Sequence, residues 1–335
     1  YVLNIGARAM TKSTLNVHAG HDDYHCIDDT GFFQLFAANA QGAADLNIIA
    51  HRIAELALTP GVIAQDGFLT THLIESLMVP ERELIEEYLG KPEDMIDTPT
   101  PAQKIIFGDK RRRIPELWDV DNPVMAGLVQ NQDSYMQSVV AQRPYFFDHI
   151  AEITEQAMEE FYQLTGRRYE RVSGYRMDDA EAAVVLLNSA AETAKAVAEQ
   201  MREEGKKVGV LSLNVLRPFP GDLVRDALKN VKTVVVGDRA DSYGADGGNL
   251  SLEVRAAIQL DPDNRARVAT RIYGLGGKDF DDADAEEFFR QALKTAATGT
   301  VPSAMPSAVL DSKVLMLPPS TWTPPRSRAA ISRRK

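Results

Sequence analysis

Cysteine is nearly missing: Cys26 stands alone among 335 residues. A disulfide within the chain is therefore impossible, and so is an iron–sulfur cluster held by the chain's own thiolates, which normally takes four. A lone cysteine is ordinarily a small buried hydrophobe. Long apolar runs are missing too, and nothing matches the roughly 20 residues that a bilayer-spanning helix needs, so no membrane partner is expected. No signal peptide is visible. The chain opens on Tyr1 rather than Met, which reads as a processed or truncated product, and cytoplasm is the default location. Positive charge is in deficit, with 37 Lys+Arg against 48 Asp+Glu and a formal net charge of -11. An acidic surface argues against nucleic acid as the main partner, because binding phosphate backbones needs a basic footprint. It leaves small anionic substrates open, since one or two local cations suffice to hold them. No HExxH or Cys/His metal spacing occurs.

The hydrophobic content of 44% is ample for one large or two ordinary domains, and 25% charged residues argue against wholesale disorder. The first part reads as α/β. Val2 to Ile5 and Leu15 to His18 are short extended runs. Ala40 to Leu58 carries apolar residues at helical spacing and is stopped by Thr59, Pro60 and Gly61. Val62 to Gln65 reads as a buried strand, and Glu81 to Leu89 as an amphipathic helix. Gly90 to Pro144, with six prolines and mixed charge, reads as a long irregular connection of the kind that is often interfacial. Its basic run Lys110 to Arg113 reads as a solvated loop before an anion site. Phe146 to Leu164 is helical again. From Ala182 strands and helices alternate: strands Ala183 to Leu187, Val208 to Val215, Thr233 to Val236 and Ala266 to Ile272, with helices Glu192 to Glu204, Gly221 to Leu228, Asn249 to Leu260 and Ala285 to Ala296. That order implies a parallel sheet covered on both faces. After Gly299 the Pro-, Ser- and Thr-rich stretch has no periodicity and reads as an arm, disordered or laid on a partner.

Several residues could carry chemistry. Arg8 follows an apolar run and so belongs at or just past a strand end, beside the ligand crevice of an α/β sheet. Its guanidinium could grip a carboxylate with two bonds, or be an ordinary salt-bridged arginine. His21, Asp22, Asp23 and His25 could form an acid–base pair or metal site, or a polar loop that caps neighbouring backbone. Thr30-Gly31 and Asp66-Gly67, followed by Thr70, Thr71 and His72, read as turns at element boundaries. Pro218 and Pro220 stiffen a strand exit. The loop from Gly244 to Gly248, after one strand and before a helix, could cradle phosphate, though it is not GxGxxG.

The sequence also holds six ordered stretches: IGARAMTKSTLNVHAGHDD (Ile5 to Asp23), DDTGFFQLFA (Asp28 to Ala37), QDGFLTTH (Gln65 to His72), LRPFP (Leu216 to Pro220), VVVGDRADSYGADGGNL (Val234 to Leu250) and RIYGLGGKDF (Arg271 to Phe280). Together they resemble the pyruvate:ferredoxin oxidoreductase family over roughly Val2 to Leu293. The resemblance implies an α/β chain with four parts. The later portion of a pyrimidine-type thiamine-diphosphate domain (1–89) is followed by a long connection and a helix packing on it (90–170). A transketolase C-terminal-like parallel domain (171–299) and a Pro/Arg-rich tail (300–335) complete it. The implied reaction is oxidative decarboxylation of a 2-oxo acid, pyruvate as inherited expectation, with CoA as co-substrate and ferredoxin or a relative as acceptor. Thiamine diphosphate and magnesium would be shared with a partner chain, and iron–sulfur clusters would sit on other subunits. In the matching Ala7-Arg8-Ala9 motif, Arg8 would contact the substrate carboxylate. His21, Thr30, Gly31, Asp66 and Gly67 would lie near the thiamine or a subunit contact. The family's Gly-Asp-His becomes Ala19-Gly20-His21, so only the histidine matches. Gly237-Asp238-Arg239 is a superficial echo of the Gly-Asp-Gly metal–diphosphate motif, and the family's activating glutamate has no counterpart in the sequence. A non-catalytic assembly subunit and a free-standing nucleotide-dependent α/β enzyme using Gly244 to Gly248 are the rival readings.

Overall fold

The computed structural model describes residues 1–10, 14–116, 129–187 and 189–302; the tail from 303 onward, and the arm expected there, lie outside them. The upstream part runs β1 (Val2–Met10), β2 (Leu15–Ala19), α1 (Asp22–His25), β3 (Phe33–Phe36), α2 (Ala40–Ala57), β4 (Gly61–Asp66) and α3 (Arg82–Leu89). Next come β5 (Met95–Asp97), α4 (Pro101–Phe107), β6 (Lys110–Arg112), α5 (Gln132–Tyr145), a 3-10 turn at Phe147–His149 and α6 (Ile150–Thr165). The downstream part runs β7 (Val172–Tyr175), β8 (Ala182–Leu186), α7 (Ala190–Glu203), β9 (Val208–Leu213), β10 (Val215–Arg217), α8 (Gly221–Leu228), β11 (Thr233–Asp238), α9 (Asn249–Gln259), β12 (Arg267–Ile272), a 3-10 turn at Leu275–Gly277 and α10 (Asp282–Thr298).

Two five-stranded sheets result, in the orders β10-β3-β4-β1-β2 and β12-β11-β8-β9-β7. In the first, β3, β4 and β1 are parallel and the edge strands β2 and β10 are antiparallel. In the second, β12, β11, β8 and β9 are parallel and only the edge strand β7, which the sequence did not announce, is antiparallel. The central strands are buried at every position of β3, β8 and β11, as expected where both faces of a parallel sheet are covered. The single strand expected over Val208 to Val215 is two strands. β9 stops at Leu213, Asn214 exchanges hydrogen bonds with Phe36 (Phe36 N–H to Asn214 O 2.8 Å, Asn214 Nδ2 to Phe36 O 3.1 Å), and β10 pairs with β3 of the other sheet. The upstream sheet therefore finishes this edge with a strand from downstream in the same chain.

The apolar core is layered. One cluster places Leu46, Ile49 and Ile53 of α2 and Ile153 and Phe161 of α6 against Leu35 and Ile63 of the first sheet. A second places α7 and α10 on the outer face of the second sheet. Between them a shared cluster joins Ala7, Phe36, Val62 and Ala64 of the first sheet to Val185, Val234 and Val236 of the second and to Leu250 and Val254 of α9. The two halves are thus welded by hydrophobic area, at roughly 25 cal/mol per Å² removed from water.

The connection from 90 to 144 is less irregular than its prolines suggest, with a β5–β6 hairpin and α4 inside it. Its basic run is also not wholly solvated. Arg111 is 2% exposed. Its Nη2 donates to the carbonyls of Glu55 (2.7 Å) and Leu56 (3.2 Å) at the end of α2, its Nη1 donates to the carbonyls of Arg112 (2.8 Å) and Arg113, and its Nε donates to Gln103 Oε1 (2.7 Å). A helix C-terminus presents unpaired carbonyls and a partial negative charge, and a buried cation that donates to them satisfies both. Burial brings Arg111 down to about 10, so it stays charged at neutral pH. Arg111→Met should orphan those carbonyls and lower stability by about 2–4 kcal/mol. The urea midpoint measures this, and an unchanged midpoint would show the cap to be dispensable.

Candidate functional site

Register places the site. Ala7 of β1 is opposite Asp66 of β4, so Arg8 and Gly67 sit together at the carboxyl edge of the first sheet. The carboxyl ends of β8 and β11 in the second sheet face this edge and supply Ser189 and Arg239. Asp66 is fully buried between them. Its Oδ1 accepts from His21 Nε2 at 2.9 Å, its Oδ2 accepts from Ser189 Oγ at 2.7 Å and Ser189 N–H at 3.2 Å, and Arg239 Nε lies 3.7 Å from Oδ1. Arg239 is 1% exposed, with its guanidinium 4.8 Å from the Tyr273 ring centre. The His21 amide donates to the Arg239 carbonyl at 2.8 Å.

Burial opposes ionisation of Asp66, but the Arg239 charge and the His21 and Ser189 hydrogen bonds outweigh it and hold the carboxyl well below the usual carboxylate range. Burial pushes His21 down to about 4, helped by the charges of Arg239 and His25 and opposed by Asp66. At neutral pH His21 is therefore a neutral imidazole that donates from Nε2 to an ionised Asp66. Both groups are committed to joining the two sheets, and neither is poised near pH 7 as a general base would be.

Arg8 lies within β1, at the point where the pairing with β2 shifts register, between Arg8 and Ala9. Its Nε donates to Gly6 O at 3.1 Å, its guanidinium carbon is 5.5 Å from the Phe68 ring centre, and no ion pair to it occurs among the described residues. The side chain lies along Gly67, where a Cβ would come within 2.6 Å of Ala7 O and of Arg8 Cδ, so only glycine fits there. Phe68 stacks on His72 at 4.0 Å with an interplanar angle of 4° and touches the His18 ring at 4.1 Å. The structure thus brings Arg8, His21, Asp66 and Gly67 together. Thr30 and Gly31 are not with them. They precede β3, whose first residue Phe33 is opposite Gly61, at the amino edge of the sheet and about 17 Å of strand away from Asp66. There Thr30 Oγ1 donates to Ile27 O at 2.7 Å and Gly31 abuts the Phe147 ring.

Sequence reasoning missed Ser189, Arg239 as the countercharge of Asp66, and Phe68 beside Arg8; Asp23 follows the backbone-capping alternative, accepting from the Arg8 and Tyr24 amides. The one available signal was the charged pair Asp238-Arg239 closing an otherwise apolar strand. Asp238 disposes of the phosphate loop. Its Oδ1 accepts from Leu250 N–H at 2.8 Å and its Oδ2 from Ser251 N–H at 3.2 Å and Ser251 Oγ at 2.5 Å. The amino end of α9 is therefore already occupied by a carboxylate, which corrects the nucleotide-enzyme reading, and a Cβ on Gly248 would lie 2.2 Å from Asp238 Cγ. Asp238 is also spent as a metal ligand, and no group of three or more His, Cys, Asp or Glu side chains suited to a metal occurs among the described residues. The metal–diphosphate end of a thiamine cofactor does not fit these residues. No helix among them is long and apolar enough to cross a membrane.

Because His21 titrates near 4 folded and near 6.5 unfolded, the unfolded chain takes up its proton first as pH falls. The stability from burying neutral His21 is complete above pH 6.5 and is lost between there and about 4. Between pH 6.5 and 5 the loss should be about 2 kcal/mol. Urea unfolding at those two pH values measures it. His21→Gln should flatten the dependence, and an equal slope in the variant would remove His21 as its source.

Comparison with known proteins gives the same two halves. Residues 1–159 match the thiamine-diphosphate-binding family model of pyruvate flavodoxin/ferredoxin oxidoreductases, and residues 180–285 match core domain II of pyruvate:ferredoxin oxidoreductase. The pyruvate synthase subunit PorA of Thermotoga maritima is 32% identical over 302 residues, covering 90% of this chain and 70% of that one. The pyruvate-flavodoxin oxidoreductase of Klebsiella pneumoniae is 32% identical over 279 residues, 83% of this chain and 22% of its own. A solved 2-oxoglutarate:ferredoxin oxidoreductase from Magnetococcus marinus shares the fold at a TM-score of 0.54 and 11% identity, over 88% of this chain and 48% of that chain. The expected α/β fold and family thus stand, and this chain belongs to the pyruvate:ferredoxin oxidoreductase family.

Proposed function

We propose that the chain is the PorA-like subunit of a pyruvate:ferredoxin-type oxidoreductase, and that its Arg8 binds the carboxylate of the 2-oxo acid. The observation that carries the site assignment is the Arg8 guanidinium, held at the carboxyl edge of the first sheet with no ion pair among the described residues. A charge so placed attracts a small anion, and a planar fork matches a carboxylate. The assembly joins a 2-oxo acid, CoA and an oxidised acceptor to give acyl-CoA, CO2 and reduced acceptor. Thiamine diphosphate, when bound, supplies the electron sink for decarboxylation. This chain's residues bind and orient the acid: Arg8 holds the carboxylate, and the His21–Asp66–Arg239 cluster fixes the strand ends beneath it.

Magnesium, the diphosphate contacts and the iron–sulfur clusters belong in this proposal to other subunits, since one cysteine cannot ligate a cluster. Ferredoxin or a relative is the acceptor, and the cytoplasm is the setting. Surface composition supports partner chains. Leu73, Ile74, Leu77, Met78 and Val79 are all exposed, and the 14-residue α5 buries none of its residues. A helix of that length gains little in water without packing. A bracing role is the second reading, favoured by the interdomain commitment of His21 and Asp66.

In the reconstituted complex, Arg8→Ala should raise the pyruvate KM by the equivalent of about 2–3 kcal/mol and leave thiamine affinity unchanged. The chain alone should be colourless and inactive. Unaltered kinetics for Arg8→Ala would favour the bracing role.

A further inference from the structure

We propose that Asp23 is a positioning residue for substrate binding, fixing the main chain of Arg8 so that its guanidinium stays turned to the crevice and uncancelled. This rests on Arg8 being the carboxylate-binding group. At the irregularity in the β1–β2 pair, Arg8 is opposite Ala19 and Ala9 is opposite Asn16, so β2 carries two extra residues and the ladder is interrupted. A bulge re-aims a side chain but leaves backbone groups unpaired. Asp23, in the first turn of α1, takes up the freed donor. Both of its oxygens lie 3.1 Å from the Arg8 N–H, and its Oδ1 also accepts from Tyr24 N–H at 2.8 Å. Asp22 does the same for Met10, with Oδ2 3.1 Å from its N–H.

The choice of atom matters. A carboxylate paired to the Arg8 guanidinium would neutralise the charge that a substrate needs. Asp23 holds the amide instead, and no ion pair between the two side chains occurs among the described residues. The guanidinium is steadied by uncharged groups, Gly6 O and the Phe68 ring. Phe68 is fixed in turn by its stack on His72 and by the hydrogen bond from its N–H to Thr71 Oγ1 at 2.9 Å. Restraint of the backbone and freedom of the charge are thereby separated.

The test is a double-variant cycle in the assembled oxidoreductase, with pyruvate as substrate. Asp23→Ala should raise the pyruvate KM about tenfold, the worth of a charge-assisted hydrogen bond, with kcat and the CoA KM nearly unchanged. In an Arg8→Ala background the same change should add nothing, because a residue acting through Arg8 has no effect once Arg8 is gone. If Asp23→Ala does not assemble, Asp23→Asn replaces it. One amide oxygen then serves in place of two carboxylate oxygens, and a rise of about two- to threefold, again absent without Arg8, is expected. An unchanged KM, or an increase that persists in the Arg8→Ala background, overturns the proposal while leaving Arg8 in its role. An Arg8→Ala variant with normal KM overturns the assignment of Arg8 itself.

Discussion

Arg239 and Asp66 are opposite charges removed from water at the meeting of two sheets, and the geometry around them follows from that fact. Desolvating each costs several kcal/mol, and a pair so placed is tolerated only if its remaining hydrogen-bonding capacity is met. Asp66 meets it with His21 and the two donors of Ser189. Arg239 rests on Tyr273 and donates from Nη1 to Gly274 O at 3.4 Å, while its Nε, 3.7 Å from Asp66 Oδ1, makes no hydrogen bond among the described residues and holds the carboxylate by charge alone. The carboxylate belongs to the strand beside Arg8 and the guanidinium to the other half of the chain. The shape of the crevice edge is therefore set by both halves together.

The same integration appears in apolar form. The shared cluster between the sheets and the departure of β10 to the first sheet distribute each half's stability over the other. Arg217, at the end of β10, extends the link through Nη2, which donates to Glu253 Oε1 of α9 at 2.6 Å, and through Nε, which donates to Asp28 O at 3.2 Å. The motif Leu216 to Pro220 thus marks a crossing between sheets.

The sequence disclosed what is locally encoded. The helix over Ala40 to Leu58, the helix Gly221 to Leu228 and the alternation after Ala182 follow from periodicity and stop residues, which act over a few positions. It concealed what depends on distant partners. Nothing local distinguishes β10 from a continuation of β9, because both are short and apolar; Asn214 and the vacant edge of β3 decide it. Arg111 reads as surface charge because only the folded chain brings the end of α2 to it. Of the candidate site, Arg8, His21, Asp66 and Gly67 were legible through a motif resemblance and Asp23 through its polar cluster, whereas Ser189 and Arg239 act through pairings that span the fold.

The crossing strand also governs motion. Two sheets joined only by a linker could rock about it to open and close the crevice between them. With β10 hydrogen-bonded into the first sheet while β9, one residue upstream of it, belongs to the second, a rigid-body hinge between the halves would have to break strand pairing or the turn at Asn214. Movement at the Arg8 edge is thereby confined to smaller units, such as the loop from Gly67 to His72, while the two sheets stay fixed relative to each other.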